Sequence, residues 1–306
     1  MKKPVVRPQL IVAPRGNDAT CRRNKLKRPC ASFDRAYALS RLGDVVHVLG
    51  GAYPFQRLTA KRGKKLDVDA PNVIIQPAPG ASVTVAGLEL AGDDTQSGPS
   101  HVTVRGFRDS RSPQGAVEVE GAFDVRLENI DAANFRIDHS SNVTVRGGDW
   151  GPCTVPSSTC SNSKIDVDAG ANIVVEHARF HDYRIVPNSG EHFECMIVFG
   201  GRNITIRGNT FTNCEFYNIF IQHPTWADGY NGRTPEGMVI ERNSFSAVWE
   251  NGVWNVRFSA LAFSPRRIPF RNVVVRCNEF RGGSKMEIND DSDGTRYEAF
   301  TVTKQC

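Results

Sequence analysis

The phrase RNITIRGNTF at 202–211 does not occur once in this chain; it recurs. Close copies are ANIVVEHARF at 171–180, EGMVIERNSF at 236–245 and RNVVVRCNEF at 271–280, with a looser one, SNVTVRGGDW, at 141–150. Fainter relatives begin at His101 and Asp124, so that successive starts stand 18 to 35 residues apart. The template is a polar or small residue, an apolar–x–apolar step, and an aromatic five positions on. A period in that range is the mark of a stacked repeat, in which each unit buries its apolar face only against its neighbours.

Each copy from Asp124 onward follows a second alternating segment. These are AVEVEG (116–121), FRIDHS (135–140), KIDVDAG (164–170), CMIVFGG (195–201), NIFIQH (218–223) and NVRFSA (255–260). GLELAG (87–92) precedes the copy at His101, and KMEIND (285–290) opens a last coil. Period-two alternation puts half of each strand toward a core and half outward. One repeat therefore reads as strand, turn, strand and a longer connection, with coils stacked about 4.8 Å apart as parallel strands. Val143, Ile173, Ile204, Val239 and Val273 are expected in one inward stack, and the closing Phe or Trp of each phrase in another.

This pattern resembles the right-handed parallel β-helix of the pectate lyase-like superfamily, over residues 43–306. The resemblance implies an all-β fold, a single-stranded right-handed parallel β-helix, whose open first coil is plugged by an N-terminal α-helix. SFDRAYALSRLGD (32–44) fits that part: Ser32 is a plausible N-cap, Phe33, Ala36, Tyr37 and Leu39 recur at helical spacing, and Gly43 ends the run. The organisation is then an N-terminal segment with its capping helix at 1–42 and a solenoid at 43–306.

The eight cysteines lie in close-spaced pairs, Cys21 with Cys30, Cys153 with Cys160, Cys195 with Cys214 and Cys277 with Cys306, none in a zinc-type C-x2-C spacing. Disulfides persist in oxidising compartments, so the expectation is a secreted protein whose leader has been removed. No apolar run reaches the roughly 18 residues needed to span a membrane. The net charge of +5 hides a division: residues 1–65 hold 16 Lys and Arg against 3 acids, and residues 66–306 hold 22 against 30. The basic segment suits solvent or an anionic partner; no nucleic-acid motif accompanies it.

The outward positions of the strands that precede the phrase form two columns. One runs Asp67, Glu89, Glu118, Arg136, Asp166, Ile197, Phe220, Arg257 and Glu287; the other Asp69, Ala91, Glu120, Asp138, Asp168, Phe199, Gln222, Ser259 and Asn289. The first half of this face is acidic; the second turns aromatic and then basic. Carboxylates on neighbouring coils repel by roughly 3 kcal/mol per pair at an effective dielectric of about 20. Glu120, Asp138, Asp166 and Asp168 are thus candidates to hold Ca2+, which accepts six to eight oxygens; the alternative is a solvated face with Arg136 as an ion-pair link. Long connections such as 181–194 and 222–236 bring His192, Glu194, His223, Trp226 and Tyr230 toward the face, and Trp254 lies in another.

Pectate lyases hold Ca2+ on β-helix aspartates and abstract a proton with Arg or Lys. The resemblance accordingly implies a metal at those carboxylates and a base at Arg257 or Arg136. IDHS (137–140) is similar to a short signature of that family, whereas PRRIPFR (265–271) departs from its Arg-x-Pro-x-x-Arg pattern. The expected function is a secreted carbohydrate-active enzyme cleaving a polysaccharide, with β-elimination of a uronate-containing glycan first. Hydrolysis by paired carboxylates and non-catalytic glycan binding are the alternatives. The expected catalytic set is Arg257, His223, His192, Glu194, Asp166 and Asp168. Phe199, Phe220, Trp226, Tyr230 and Trp254 are the expected sugar-binding platform.

Overall fold

The computed structural model describes residues 7–59, 70–92, 98–109, 116–154, 163–165, 170–184, 194–215, 217–222, 236–246, 248–250, 253–255, 261–264, 270–281, 286–288 and 298–303. Its described strands form sheets of eleven, nine and ten strands and one two-stranded hairpin. In each long sheet the strands lie side by side in chain order and pair in parallel. That is the signature of a wound ribbon. One coil runs through Arg202–Arg207 in the eleven-stranded sheet, Thr210–Cys214 in the ten-stranded sheet and Ile219–Gln222 in the nine-stranded sheet. It then returns to the first sheet at Glu236–Glu241.

A coil therefore has three strands where the sequence reading gave two, because the phrase bends in its middle. The bend falls at Gly106, Asn129, Gly147, His177, Gly208, Arg242 and Cys277, all at positive φ between 51° and 74°. A second positive-φ column, at φ between 52° and 64°, holds His101, Asp124, Asn142, Asn172, Asn203, Gly237 and Asn272. These residues begin the phrase. Asn, Asp and Gly enter the left-handed region at low cost, and apolar β-branched residues do not. The polar first letter of the phrase is thus a backbone requirement.

The inward residues of the eleven-stranded sheet stack in register: Val125 on Val143, Val143 on Ile173, Ile173 on Ile204, all buried. One expected member is misplaced. Val239 lies opposite Thr205 on the outer side, and Met238, wholly buried and paired with Val273, faces the core. The closing aromatics form the expected interior column. Trp150, Phe180, Phe211, Phe245 and Phe280 stack with centroids 6.4, 4.9, 5.2 and 5.3 Å apart in succession.

Beside this column runs a buried amide ladder. The side-chain oxygens of Asn209, Asn243 and Asn278 accept from the backbone N–H of Ala178, Asn209 and Asn243 at 2.9, 2.9 and 3.0 Å. Their amide nitrogens donate to the carbonyls of Val175, Ile206 and Ile240 at 2.9, 2.9 and 2.8 Å. Backbone groups that the bend takes out of the sheets are satisfied in this way. Outside, the same sheet carries charges of alternating sign on successive coils: Arg105, Glu128, Arg146, Glu176, Arg207, Glu241 and Arg276. Arg207 reaches Glu176 at 2.6 Å and Arg276 reaches Glu241 at 2.7 Å.

The helix forms where expected, at Phe33–Leu39, and the Ser32 hydroxyl caps it by accepting from Arg35 N. It packs on Gln56–Leu58 and Leu10–Val12. Phe33 meets Tyr53 and Phe107, and the Tyr37 hydroxyl donates to Ser100 O at 2.8 Å. Leu10–Val12 pairs with Val45–Val48, so the eleven-stranded sheet gains a strand from before the helix. Cys21–Cys30 and Cys195–Cys214 are disulfides. Cys153 and Cys277 are disulfide-bonded as well, and their expected partners, Cys160 and Cys306, lie outside the described residues.

On the ten-stranded sheet, His181 is sandwiched between acids, its Nδ1 2.8 Å from Asp182 and its Nε2 3.2 Å from Asp149. Burial pushes the Asp182 carboxyl up, but hydrogen bonds from His181 and Asn213 and the charges of His181 and Arg184 outweigh it and hold it below the ordinary range. The folded state thus binds the Asp182 proton less tightly than the unfolded chain. This contribution to stability is present above pH about 4, where the unfolded carboxyl titrates, and is lost as pH falls through the lower folded value. Asp182→Asn should lower the Tm at pH 6, with the gap to wild type closing as the pH is taken toward the acid limit of folding. The inner amide ladder gives a second expectation. Asn243→Leu orphans two buried backbone groups at about 1–3 kcal/mol each, measurable by urea unfolding. Asn172→Gly keeps the positive φ and removes only exposed hydrogen bonds, so it should cost no more than about 1 kcal/mol. Equal losses would contradict the ladder's role.

Candidate functional site

The outer face of the nine-stranded sheet carries the densest unlike mixture of charges and rings. Strand Ala116–Glu120 shows how it arises: Val117 and Val119 are buried, so Glu118 and Glu120 point outward. Pairing then fixes the neighbours. The first outward column is Arg57, Glu89, Glu118, Arg136, Lys164, Ile197 and Phe220, and the register continues through positions 262 and 287. The second places Glu120 beside Ala91 and Asp138.

Three positions differ from the sequence reading. Arg57 replaces Asp67 beside Glu89, and Lys164 replaces Asp166 beside Arg136. Ala262 stands beside Phe220 where Arg257 was expected, because the strand of that coil is Leu261–Ser264 and not 255–260. The residues just before it, Val253–Asn255, pair antiparallel with Val248–Glu250, a hairpin off the three long sheets that contains Trp254. Arg257, His223, His192, Asp166, Asp168, Trp226 and Tyr230 lie outside the described residues. Glu194 is completely buried, next to the Cys195–Cys214 disulfide, and not in a solvent-facing turn.

The charged half of the face is largely paired. Arg57 Nε lies 3.2 Å from Glu89. Asp138 is nearly buried, with Arg136 Nη2 2.7 Å from one oxygen and His139 Nδ1 3.0 Å from the other. Glu118 and Glu120 are different: neither makes a hydrogen bond or ion pair among the described residues. Burial pushes the Glu118 carboxyl above its ordinary range. Arg136 pulls it back, and the charges of Glu89, Glu120 and Asp138 push it up again, leaving it raised. Two carboxyls thus share one strand and one face, and one of them is biased toward keeping its proton.

Of the four expected calcium ligands, Asp138 is committed to Arg136 and His139, and Asp166 and Asp168 lie outside the described residues. Among the described residues no three His, Cys, Asp or Glu side chains converge to hold a metal. The described residues therefore hold only Glu120 and Asp138 of the expected set.

Further along the face, Ile197 and Phe220 point outward yet are buried, packed with Phe199 and Tyr217. Tyr217 stacks on Phe220 with centroids 5.0 Å apart. Lys164 Nζ sits 5.1 Å from the Phe199 ring centroid, a cation–π contact at the boundary between charges and rings. Lys164, Arg57, His139 and Tyr217 were not among the expected site residues. Lys164 was readable: it shares the outward parity of Asp166 and Asp168 and lies two residues before the first of them. The eleven-stranded sheet also borders a cleft of about 600 Å3, lined by Asn72, Thr103, Arg105, Asp124, Arg126 and Glu128 among others. Its Arg105 is already bound to Gln76 and Glu128, and its polar walls continue the alternating charges, so we place the candidate site on the nine-stranded face.

No family model matches the sequence, and no curated protein matches it. Solved structures do resemble the fold. PfbA, a surface adhesin of Streptococcus pneumoniae, aligns at 14% identity over 88% of this chain and 72% of its own, with a TM-score of 0.57. XylC, solved in complex with xylose, aligns at 9% identity over 92% of this chain and 69% of its own, with a TM-score of 0.47. Pectate lyase Pel9A aligns at 12% identity over 98% of this chain and 80% of its own, with a TM-score of 0.39. With three parallel sheets wound in chain order, the chain is a right-handed parallel β-helix, the fold it shares with PfbA.

Proposed function

We propose that the protein is a secreted carbohydrate-active enzyme that hydrolyses a glycan laid along the nine-stranded face, with Glu118 as general acid and Glu120 as its carboxylate partner. The observation that carries this reading is the unpaired state of these two carboxyls together with the raised Glu118. Glycoside hydrolysis uses a carboxyl that holds its proton as general acid beside a second carboxyl, and the raised Glu118 suits the first role. A chain running along the coils meets Arg136 one strand on, Lys164 two strands on, and the partly exposed rings of Phe199 and Tyr217, which cover Ile197 and Phe220, three to four strands on, roughly 14–19 Å away. Apolar ring faces there suit the flat sides of sugars. The disulfides support an oxidising, extracellular compartment.

β-Elimination remains the second reading, favoured by one observation: Lys164 and Arg136 stand side by side, a cationic pair next to the carboxyls. Such a pair would attract a uronate and offer a base. The pairing of Arg136 with Asp138 weighs against it, because that guanidinium is already engaged.

A panel of neutral and uronate polysaccharides separates the readings. Hydrolysis releases reducing ends without an unsaturated product; elimination yields the ultraviolet absorbance of a new double bond. On a cleaved substrate, Glu118→Gln and Glu120→Gln should each lower kcat by about 10²–10⁴-fold. Glu118→Gln should also raise the Tm at neutral pH. The folded state holds the Glu118 proton more tightly than the unfolded chain, so ionising it disfavours folding above the unfolded pKa. The gain should vanish below pH about 4. Full activity in both variants would remove the site from this face, and an unsaturated product would replace hydrolysis by elimination.

A further inference from the structure

The first coil and its cap, residues 7–59, hold ten Lys and Arg against three Asp. All three acids are turned inward to structural work. Asp18 accepts from Ala31 N, Ser32 N and Ser32 Oγ at 2.7, 3.1 and 2.7 Å. Asp34 accepts from Thr59 N and Oγ1, both at 2.8 Å. Asp44 holds Arg23 at 2.6 and 2.7 Å and accepts from Arg41 N at 2.9 Å. Only Arg23 is neutralised among these contacts.

The surplus is concentrated on the loop CRRNKLKRPC, which the Cys21–Cys30 disulfide closes with both sulfurs buried. Asn24 N bonds Gln9 O at 2.8 Å, Lys25 N bonds Arg22 O at 3.1 Å and Arg28 N bonds Lys25 O at 2.8 Å, so the loop is a shaped knuckle. Lys25, Lys27 and Arg28 are exposed, and no acid lies in the loop. Between the two lysines Leu26 is 41% exposed. The other exposed large apolar side chains among the described residues, Leu49 and Phe55 at 38% each, belong to the same coil. Solvent accounts for the lysines, and Leu26 between them adds an exposed apolar side chain to the same loop.

We infer that this end of the solenoid docks on an anionic lipid surface, through Lys25, Lys27 and Arg28 with Leu26 entering the headgroup layer. A short closed loop whose residues 24–28 are all exposed can meet a plane with several side chains at once. Cations near an anionic leaflet and an apolar tip add, as in surface-bound amphipathic segments. The disulfide keeps the ordering cost of binding small. One leucine gives shallow entry, so the contact is reversible and screened by salt. End-on docking leaves the nine-stranded face open along its length. This inference is independent of the proposed chemistry.

The test is co-sedimentation of the full chain with phosphatidylcholine vesicles, with and without phosphatidylglycerol, and retention on dextran sulfate in parallel. The wild type should sediment only with the anionic vesicles and should be released as salt is raised. Lys25→Gln combined with Lys27→Gln should weaken vesicle binding about 25-fold, from about fivefold per cation. Leu26→Ser should weaken it several-fold, with the Tm of both variants unchanged because all three side chains are exposed. The salt titration needs no variant and tests the charge component alone. Absence of sedimentation at low ionic strength, equal binding to neutral vesicles, or full binding by either variant would overturn the inference. Retention on dextran sulfate without vesicle binding would overturn it in favour of a soluble polyanion.

Discussion

Everything in this molecule follows from one constraint: the backbone hydrogen bonds of a coil are made with the coils on either side, in register. Parallel pairing places the same position of every coil in a column with a spacing of about 4.8 Å. A side chain is therefore judged against its own kind, coil after coil. Asparagine survives that test inside, where Asn209, Asn243 and Asn278 bond one another's backbones. Flat rings survive it too, and Phe180, Phe211 and Phe245 lie within about 20° of parallel to their neighbours. Uniform charge does not. On the eleven-stranded face the sign alternates from Arg105 to Arg276, so that each charge meets its opposite above and below.

Against that background, the nine-stranded face is where the rule is broken. Glu89 and Glu118 are neighbours of like sign, Glu120 and Asp138 are another such pair, and Lys164 follows Arg136. Arginines form ion pairs with Glu89 and Asp138, and Arg136 only partly offsets the charge of Glu118. A solenoid that alternates charges faithfully on one face has no structural need for a strained set on another. The raised proton affinity of Glu118 comes first from its burial, and the like charges of Glu89, Glu120 and Asp138 add to it against the pull of Arg136; shifts of this kind are what acid–base chemistry uses.

The fold was legible because its signals are periodic; much of the site was not, because its signals are relative. Alternation in AVEVE fixes which residues face outward, and Glu118, Glu120, Arg136 and Asp138 were found that way. Alternation says nothing about which outward residue lies beside which, since a slip of two keeps the face and changes every neighbour. Asp166 was set where Lys164 stands by a slip of that size. A slip of one is costlier, and it sent Val239 toward the core in place of Met238. The third sheet escaped notice because several of its strands, such as Asp149–Trp150 and Ser244–Phe245, are two residues long and show no period at all. The left-handed corner at Arg242 or Cys277 was equally hidden, because those residue types do not advertise a positive φ.

The ends of a solenoid are where stacking cannot satisfy what it exposes, and the two kinds of demand met at the N-terminus are solved differently. Unpaired strand edges and core side chains are covered by the helix, whose Phe33 and Tyr37 continue the interior and whose first N–H is taken by Gln56. The acids of the cap are spent on holding that cover in place: Asp18 ties the helix entry to its preceding loop, and Asp44 ties Arg23 to the turn after the helix. What is left on the surface is then necessarily basic. Had the cap needed only solubility, acids and bases interspersed would have served, as they do on the eleven-stranded face. Segregating the charge instead leaves one molecule with two electrostatically distinct regions, a basic end and a face whose carboxyls are only partly matched. Their separation along the coil axis lets each meet a different partner without competing for it.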